Sequence, residues 1–219
     1  MERDTADLKL YTSNDMARIS CDNCNGCSSC CEGMGDTILL NPYDVNELCR
    51  NLKKTFQELL ENAIELNVQE GMILPNLRMA GNRNCCSFLD ENGRCLIHAF
   101  RPGLCRLFPL GRNYEEGTFQ YFVVEDGCKK AGKSKVKINK WLDIPQLKHY
   151  EDFITKWHFF VKEFQQSLRD AAGQEDGDTY TKQMNLFILQ TFFMKPYEEN
   201  MDFYEQFEER LQRVKSIIG

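Results

Sequence analysis

The 219-residue sequence lacks three features that would each indicate a particular class of protein. It has no apolar run of the roughly 20 residues needed to cross a bilayer. Its first residues, Met1-Glu2-Arg3-Asp4-Thr5, are charged and polar, unlike the apolar stretch of a secretory signal. It has no basic excess either, because 27 lysines and arginines face 33 aspartates and glutamates, giving a net charge of −6. We therefore expect no membrane span, no export and no nucleic-acid partner, since phosphate binding needs a basic face.

Cysteine, in contrast, is abundant, with eleven residues in the chain. The number is odd and no secretory signal precedes them, so a set of structural disulfides is not the expected arrangement. A cytoplasmic protein keeps its thiols reduced, and cysteine clusters there form metal or redox sites more often than disulfides. We therefore expect a cytoplasmic protein whose cysteines bind a metal.

The first cysteine group has the spacing of a chelating loop. Pairs of small or polar residues separate most of its members, which lets the backbone turn tightly and aim successive sulfurs at one centre. Cysteines that only pack in a core have no reason to recur at every third position. Adjacent cysteines usually point in different directions, so the last two members are predicted to face two centres, or one of them to pack in the core. The members are Cys21, Cys24, Cys27, Cys30 and Cys31.

A second group follows some fifty residues later in a different local context. Asp90 to Gly93 is predicted to form a turn between short strands, and this turn would bring Cys86 close to Cys95. Cys105 lies in a proline-bounded segment, and Cys128 follows a predicted strand over residues 118–124. These cysteines are candidates to complete the site that the first group begins.

The spacing bears on which metal is bound. Zinc sites in small modules usually draw on two separate CxxC pairs, and only the first group has that spacing here. Cys24-x2-Cys27-x2-Cys30 is typical of the three-cysteine part of a ferredoxin loop, which needs a remote fourth thiolate, although the Cys-Pro that ends such loops is missing. On spacing, an iron–sulfur cluster is slightly favoured over zinc.

Three motifs together resemble a known family. They are Cys24-x2-Cys27-x2-Cys30-Cys31, then Cys86-Ser87-Phe88-Leu89 with Gly93-Arg94-Cys95-Leu96-Ile97-His98, then Arg101-Pro102-x2-Cys105-Arg106-x-Phe108-Pro109. Over residues 20 to 130 the chain is similar to the CxxCxxCC cysteine-cluster family, also called YkgJ-type, which is described as zinc- or iron-chelating. The resemblance implies eight metal ligands: Cys24, Cys27, Cys30, Cys31, Cys86, Cys95, Cys105 and Cys128.

Residues around these motifs have two interpretations each. Arg101 and Arg106 are candidate cofactor-binding residues that would donate to sulfur or carboxylate and stabilise an anionic site, or they form a structural Arg-Pro turn. His98 stands where the family usually has an aromatic residue and is predicted to be a hydrogen-bonded packing residue. Cys21 and Cys85 extend the family pattern as spare thiols or alternate ligands. Cys49 lies on an apolar helix face and is predicted to be a core residue.

Three functions remain open at this point. The first is a metal-binding protein that holds iron–sulfur clusters or zinc. The second comes from a more distant similarity to flagellin lysine N-methylases, which implies an enzyme that modifies a protein or peptide substrate, although no glycine-rich S-adenosylmethionine motif is present. The third is an electron carrier. The sequence does not decide whether the protein is an enzyme, and it does not indicate an oligomeric state.

The overall pattern predicts an α+β fold. Asn41-Pro42 and the capping box Thr55-Phe56-Gln57-Glu58 predict two helix starts. From Pro145 onward, apolar residues at helical spacing predict three helices, with breaks near Gly173 and Pro196. We expect an N-terminal arm over 1–20, a cysteine-cluster domain over 21–143 and a helical subdomain over 144–219 packed on it. The lysine-rich segment 129–140 is predicted to be a solvated loop.

Overall fold

A computed structural model describes residues 8–20, 28–82, 84–125, 127–128 and 132–218. The predicted α+β class is confirmed, with short antiparallel strands followed by a helical region. The strands are β1 (Leu10–Tyr11), β2 (Met16–Ser20), β3 (Ile64–Gln69), β4 (Met72–Leu77), β5 (Met79–Ala80), β6 (Cys85–Cys86), β7 (Leu110–Glu115), β8 (Thr118–Val123) and β9 (Ser134–Lys137). The helices are α1 (Pro42–Leu52), α2 (Phe56–Asn62), α3 (Gly103–Leu107), α4 (Ile138–Leu142), α5 (Leu147–Ala171), α6 (Gly177–Leu189) and α7 (Phe203–Ile218).

The strands form four small antiparallel sheets rather than one large sheet. The three-stranded sheet has the order β1-β8-β7, and the others pair β2 with β9, β3 with β4 and β5 with β6. The pairing of β2 with β9 shows that part of the lysine-rich segment is a strand and not a solvated loop. Sequence pattern missed this strand because its alternation is short and its side chains are mostly charged, while β2 supplies the partner from more than one hundred residues away.

The first two helices begin as their capping sequences predict. Asn41 accepts a hydrogen bond from the Asp44 amide, and the Asp44 carboxylate accepts one from the Asn41 amide. Thr55 and Glu58 form the same reciprocal pair at the start of α2. Each pair satisfies two amides that a helix N-terminus leaves without intrahelical partners.

The C-terminal helices follow the predicted breaks. Between α6 and α7, residues Gln190–Met194 continue α6 as a π-helical turn. Aromatic side chains fill the interior, and Trp157 lies with its ring centroid 5.2 Å from that of Phe192. One continuous apolar core runs from Ala17 to Val214 through both halves of the chain, so the division at residue 143 stays a prediction. Within the described ranges, no helix has both the length and the apolar character to cross a membrane.

A buried asparagine joins the helical region to the β3–β4 hairpin. Asn185 on α6 accepts a hydrogen bond from the Ile73 amide at 2.7 Å and donates to the Gly71 carbonyl at 3.0 Å. It also donates to the Thr181 carbonyl at 3.0 Å within α6. Asn185 is 2% exposed, so removal of its side chain would leave buried backbone groups without hydrogen-bond partners.

We expect Asn185→Ala to lower the free energy of unfolding by about 2 to 3 kcal/mol, because buried polar groups lose their hydrogen bonds. Urea unfolding measures the change. The exposed neighbour Gln183→Ala, on the same helix, serves as the control. Equal stability of the two variants would contradict the bridging role of Asn185.

Candidate metal centre

Five thiols from three separate parts of the chain lie near one another. The charge on Cys86 or Cys95 is close enough to raise the pKa of Cys31, and both also raise the pKa of Cys105. The five residues are Cys30, Cys31, Cys86, Cys95 and Cys105. They are thiols and not disulfides. The structure therefore brings together part of each of the two cysteine groups in the sequence.

The first segment is a 3₁₀ turn, Ser29–Cys31, that carries Cys30 and Cys31. The Cys31 amide donates to the Ser28 carbonyl at 2.7 Å, and the Ser28 hydroxyl donates to the Glu32 carboxylate at 2.8 Å. Glu32 then pairs with Cys85 as an antiparallel bridge. This bridge holds the turn alongside β6, where Cys86 lies.

The second segment is the turn between Cys86 and Cys95. Asp90 accepts hydrogen bonds at its carboxylate from the amides of Asn92 and Arg94, at 2.9 and 2.7 Å. Beyond the turn, Leu89 forms an antiparallel bridge with Cys95. The predicted turn is confirmed, and it returns the chain so that Cys95 comes back towards Cys86.

The third segment is α3, which carries Cys105. Its first amide, from Gly103, donates to the Asp44 carboxylate of α1 at 2.8 Å. A side chain at Gly103 would collide with the hydroxyl of Tyr150, which is why this position has none. Arg106 is buried and donates to the carbonyls of Ala99, Arg101, Leu142 and Asp143. These bonds fix α3 against α1 and the end of α4.

Proximity and burial set the ionisation of the thiols. Cys30 and Cys31 have their Sγ atoms 4.0 Å apart, and this hydrogen bond lowers the pKa of Cys30 to about 6 while it raises that of Cys31. Burial raises the pKa values of Cys86, Cys95 and Cys105. Several thiolates at this place would therefore repel one another and be poorly solvated. A bound cation would remove that cost.

The 4.0 Å separation differs from the expectation that neighbouring cysteines point apart. Both residues lie in the 3₁₀ turn Ser29–Cys31. In a tetrahedral site with bonds of about 2.3 Å, two sulfurs are about 3.8 Å apart. Among the described residues, however, no three His, Cys, Asp or Glu side chains are yet arranged as metal ligands. Cys21, Cys24 and Cys27 lie outside the described residues.

Comparison with known proteins decides the family. A family model named CxxCxxCC, described as "Putative zinc- or iron-chelating domain", matches residues 23–138, which is more than half of the chain. The chain belongs to the CxxCxxCC family. Neither the curated proteins nor the solved structures contain a match.

Membership of the CxxCxxCC family supports zinc or iron as the bound metal. The resemblance noted in the sequence is thus confirmed for this family. The more distant similarity to flagellin lysine N-methylases, and the enzyme that it implies, stay predictions.

Three other cysteines lie at distinct places in this CxxCxxCC chain. Cys128 is half-buried beyond β8, at the end of the β7–β8 hairpin where Leu110 pairs with Val123. Cys105 lies on α3, which leads into β7 at the same end of the hairpin. The topology therefore allows Cys105 and Cys128 to serve one site, and the ligand role of Cys128 stays a prediction. Cys85 pairs with Ala80 between β5 and β6. Cys49 packs against the core, as predicted, and burial raises its pKa to about 11.

The two arginines play different parts. Arg106 bonds to backbone carbonyls, which matches the structural interpretation of the Arg-Pro turn. The Arg101 guanidinium donates to Nε2 of His98 at 2.8 Å. Its positive charge adds to the lowering of the pKa of Cys30 that the Cys31 hydrogen bond causes, and it opposes the rise that burial causes in the pKa of Cys95. Arg101 is thus positioned to stabilise thiolate charge. A direct role of either arginine in holding a cofactor stays a prediction.

Sequence reasoning missed Asp44 as part of the support for the site. Its place in a capping box was visible, but its second hydrogen bond, from Gly103, joins residues 59 positions apart and leaves no local signal. Burial raises the pKa of Asp44 to about 6, in spite of the amides that donate to it. Such a residue is found only when α1 and α3 are seen side by side.

We expect Gly103→Ala to displace α3 and reduce the metal bound per chain, because the added methyl group meets the Tyr150 hydroxyl. The double variant Gly103→Ala/Tyr150→Phe should recover much of that metal, since it removes the colliding atom. Tyr150→Phe alone is the control, because this hydroxyl has no hydrogen-bond partner of normal geometry in the part of the chain that the structure describes. Elemental analysis measures the metal, and a double variant no better than Gly103→Ala would refute the steric explanation.

Proposed function

We propose that the protein binds an iron–sulfur cluster through thiolates contributed by both cysteine groups. The observation that carries this proposal is the convergence of five thiols from three chain segments at one buried place. The spacing Cys24-x2-Cys27-x2-Cys30 supplies three thiolates, and Cys86, Cys95 or Cys105 supplies the remote fourth. Because thiolate ligands require reduced cysteines, we also propose a cytoplasmic location.

A single zinc or iron ion is the second candidate, and one distance favours it. The Cys30 and Cys31 sulfurs are spaced almost as two ligands of one tetrahedral ion would be. In a four-iron cluster held by four cysteines, by contrast, each iron takes one cysteine, and the set Cys24, Cys27 and Cys30 with a remote fourth thiolate leaves Cys31 unused. The two candidates thus differ in whether Cys31 is a ligand.

The metal would also act as a structural link. The three segments that carry the cysteines are short: a three-residue 3₁₀ turn, the Cys86–Cys95 turn and the five-residue helix α3. Their own secondary structure therefore does little to hold them together. Metal bonds among them would contribute directly to the free energy of folding. A redox role or a protein-modifying role would be additional to this one.

Anaerobic purification with metal and sulfide analysis tests the proposed cluster. We expect a coloured protein with visible absorbance and matching iron and sulfide, because thiolate-bound clusters absorb visible light. A colourless protein with one zinc and no sulfide per chain would overturn the cluster and support the second candidate. Absence of both metals after anaerobic reconstitution would overturn metal binding altogether.

A serine scan tests which thiols are ligands. We expect Cys105→Ser and Cys27→Ser to lose the metal, because each removes a proposed ligand, Cys27 from the first cysteine group and Cys105 from the second. Cys49→Ser is the matched control and should keep it, since Cys49 packs in the core. Elemental analysis of each purified variant gives the ratio of metal to protein. Retention of metal by Cys105→Ser would exclude Cys105 as the remote ligand, and retention by Cys86→Ser and Cys95→Ser as well would separate the two cysteine groups and contradict the shared centre.

In the same scan, Cys31→Ser distinguishes the candidates. A single tetrahedral ion held by both Cys30 and Cys31 should be lost or greatly weakened. A cluster that uses only Cys30 should remain, with its absorbance unchanged.

A further inference from the structure

A groove lies away from the cysteine centre, between α1 and the π-helical turn that follows α6. Its volume is about 300 Å³. This is at the lower end of the range for small-molecule sites, which are mostly apolar with a few polar groups that orient the ligand. The apolar lining includes Val45, Cys49, Phe192, Phe193, Met194 and Tyr197.

The floor of the groove is apolar. Val45, Phe192 and Phe193 are at most 4% exposed and pack in the core beneath it. The half-buried Cys49 and Met194 offer apolar surface to the groove. The π-helical turn forms part of this floor. The Lys195 amide closes the turn by donating a hydrogen bond to the Gln190 carbonyl at 3.0 Å. Such turns are rare, and they frequently occur at functional sites.

The rim of the groove is basic, although the whole chain carries a net charge of −6. Its four cations are Arg50, Lys53, Lys54 and Lys195, and its two carboxylates are Glu58 and Glu199. The Glu58 carboxylate already accepts hydrogen bonds from the amide and hydroxyl of Thr55. The three lysines have no ion pair within 4.0 Å with any carboxylate that the structure describes. The charges of Lys53 and Lys195 are therefore available to a ligand, whereas that of Lys54 also acts on the Glu58 carboxylate.

We propose that this groove binds a small amphipathic anion, with its apolar chain on Cys49 and Met194 and its carboxylate among the lysines of the rim. An apolar floor alone would accept any hydrophobic molecule of suitable size. Lys53 and Lys195 select an anionic head, because a cation of the same shape would be repelled. The ligand class is thus a carboxylate with an aliphatic chain of medium length.

The same cations have a simpler explanation, stabilisation of a helix end, and the test must distinguish it from ligand binding. Arg50, Lys53 and Lys54 lie at the C-terminal end of α1, where positive charge stabilises a helix through its dipole. In that case their replacement would lower the melting temperature and leave ligand binding unaffected. Lys195 is the C-cap residue of the π-helical turn, so the same explanation applies to it, and the test reads stability and ligand binding separately.

The test is calorimetric titration of the full-length, metal-loaded protein with decanoate below its micelle concentration. Decylammonium has the same chain with the opposite charge, and acetate has the same head without the chain. We expect decanoate to bind and each of the other two to bind roughly tenfold more weakly or worse, since each lacks one of the two contributions. No binding of decanoate, or equal binding of decanoate and decylammonium, would overturn the proposal.

Charge-reversal variants locate the site. Lys53→Glu/Lys195→Glu should weaken decanoate binding by roughly tenfold or more, because a repelling pair replaces an attracting one. The control Lys148→Glu/Lys182→Glu makes the same change of charge at exposed positions outside the groove and should bind as the unmodified protein does. Equal affinity of both variants would overturn the site, and a lowered melting temperature alone would support the helix-dipole explanation.

If the reversal variant fails to fold, the neutral pair Lys53→Gln/Lys195→Gln and a salt titration of the unmodified protein replace it. The affinity for decanoate should fall as salt rises, because exposed charges are screened. Affinity independent of salt would refute the role of the lysines. The metal content of the variants should not change, so failure here leaves the metal centre standing.

Discussion

Burial of several neighbouring thiols is the constraint on which this structure depends. A thiolate is poorly solvated inside a protein, and its neighbours raise the cost of ionising it further. Here the charge on Cys30 and Cys95 raises the pKa of Cys105, in addition to the effect of burial. Such a cluster is stable when its sulfurs stay protonated or when a cation binds them. Membership of the CxxCxxCC family, described as zinc- or iron-chelating, fits the second state.

Two buried side chains, Asp44 and Arg106, connect the short segments that carry the cysteines to the surrounding structure. Asp44 connects α1 to the start of α3, and Arg106 connects α3 to the segments on either side of it. The helical region then closes over the assembly, with Tyr150 packed against Gly103. The cysteines themselves lie on turns and short elements, which need these supports because few hydrogen bonds hold them directly. Metal bonds would complete the same set of connections.

Much of this organisation could be predicted from local sequence. The capping boxes at Asn41 and Thr55, the turn at Asp90 and the three C-terminal helices each follow from residues within a few positions of one another. What could not be predicted depends on distant partners. The strand Ser134–Lys137 exists because Met16–Ser20 pairs with it, and Asp44 matters because Gly103 donates to it. The close approach of the Cys30 and Cys31 sulfurs depends on the backbone and side-chain conformation of one short turn, which the spacing of the cysteines did not predict.

The central claim is that one metal centre joins all three cysteine-bearing segments. Differential alkylation tests it most directly: the metal-loaded protein and the chelator-treated protein are labelled with a thiol reagent, and peptide mass spectrometry reads each cysteine. The account predicts that Cys30, Cys86 and Cys105 are protected together in the loaded protein and become reactive together when the metal is removed. Protection of Cys30 alone, with Cys86 and Cys105 equally reactive in both forms, would contradict it.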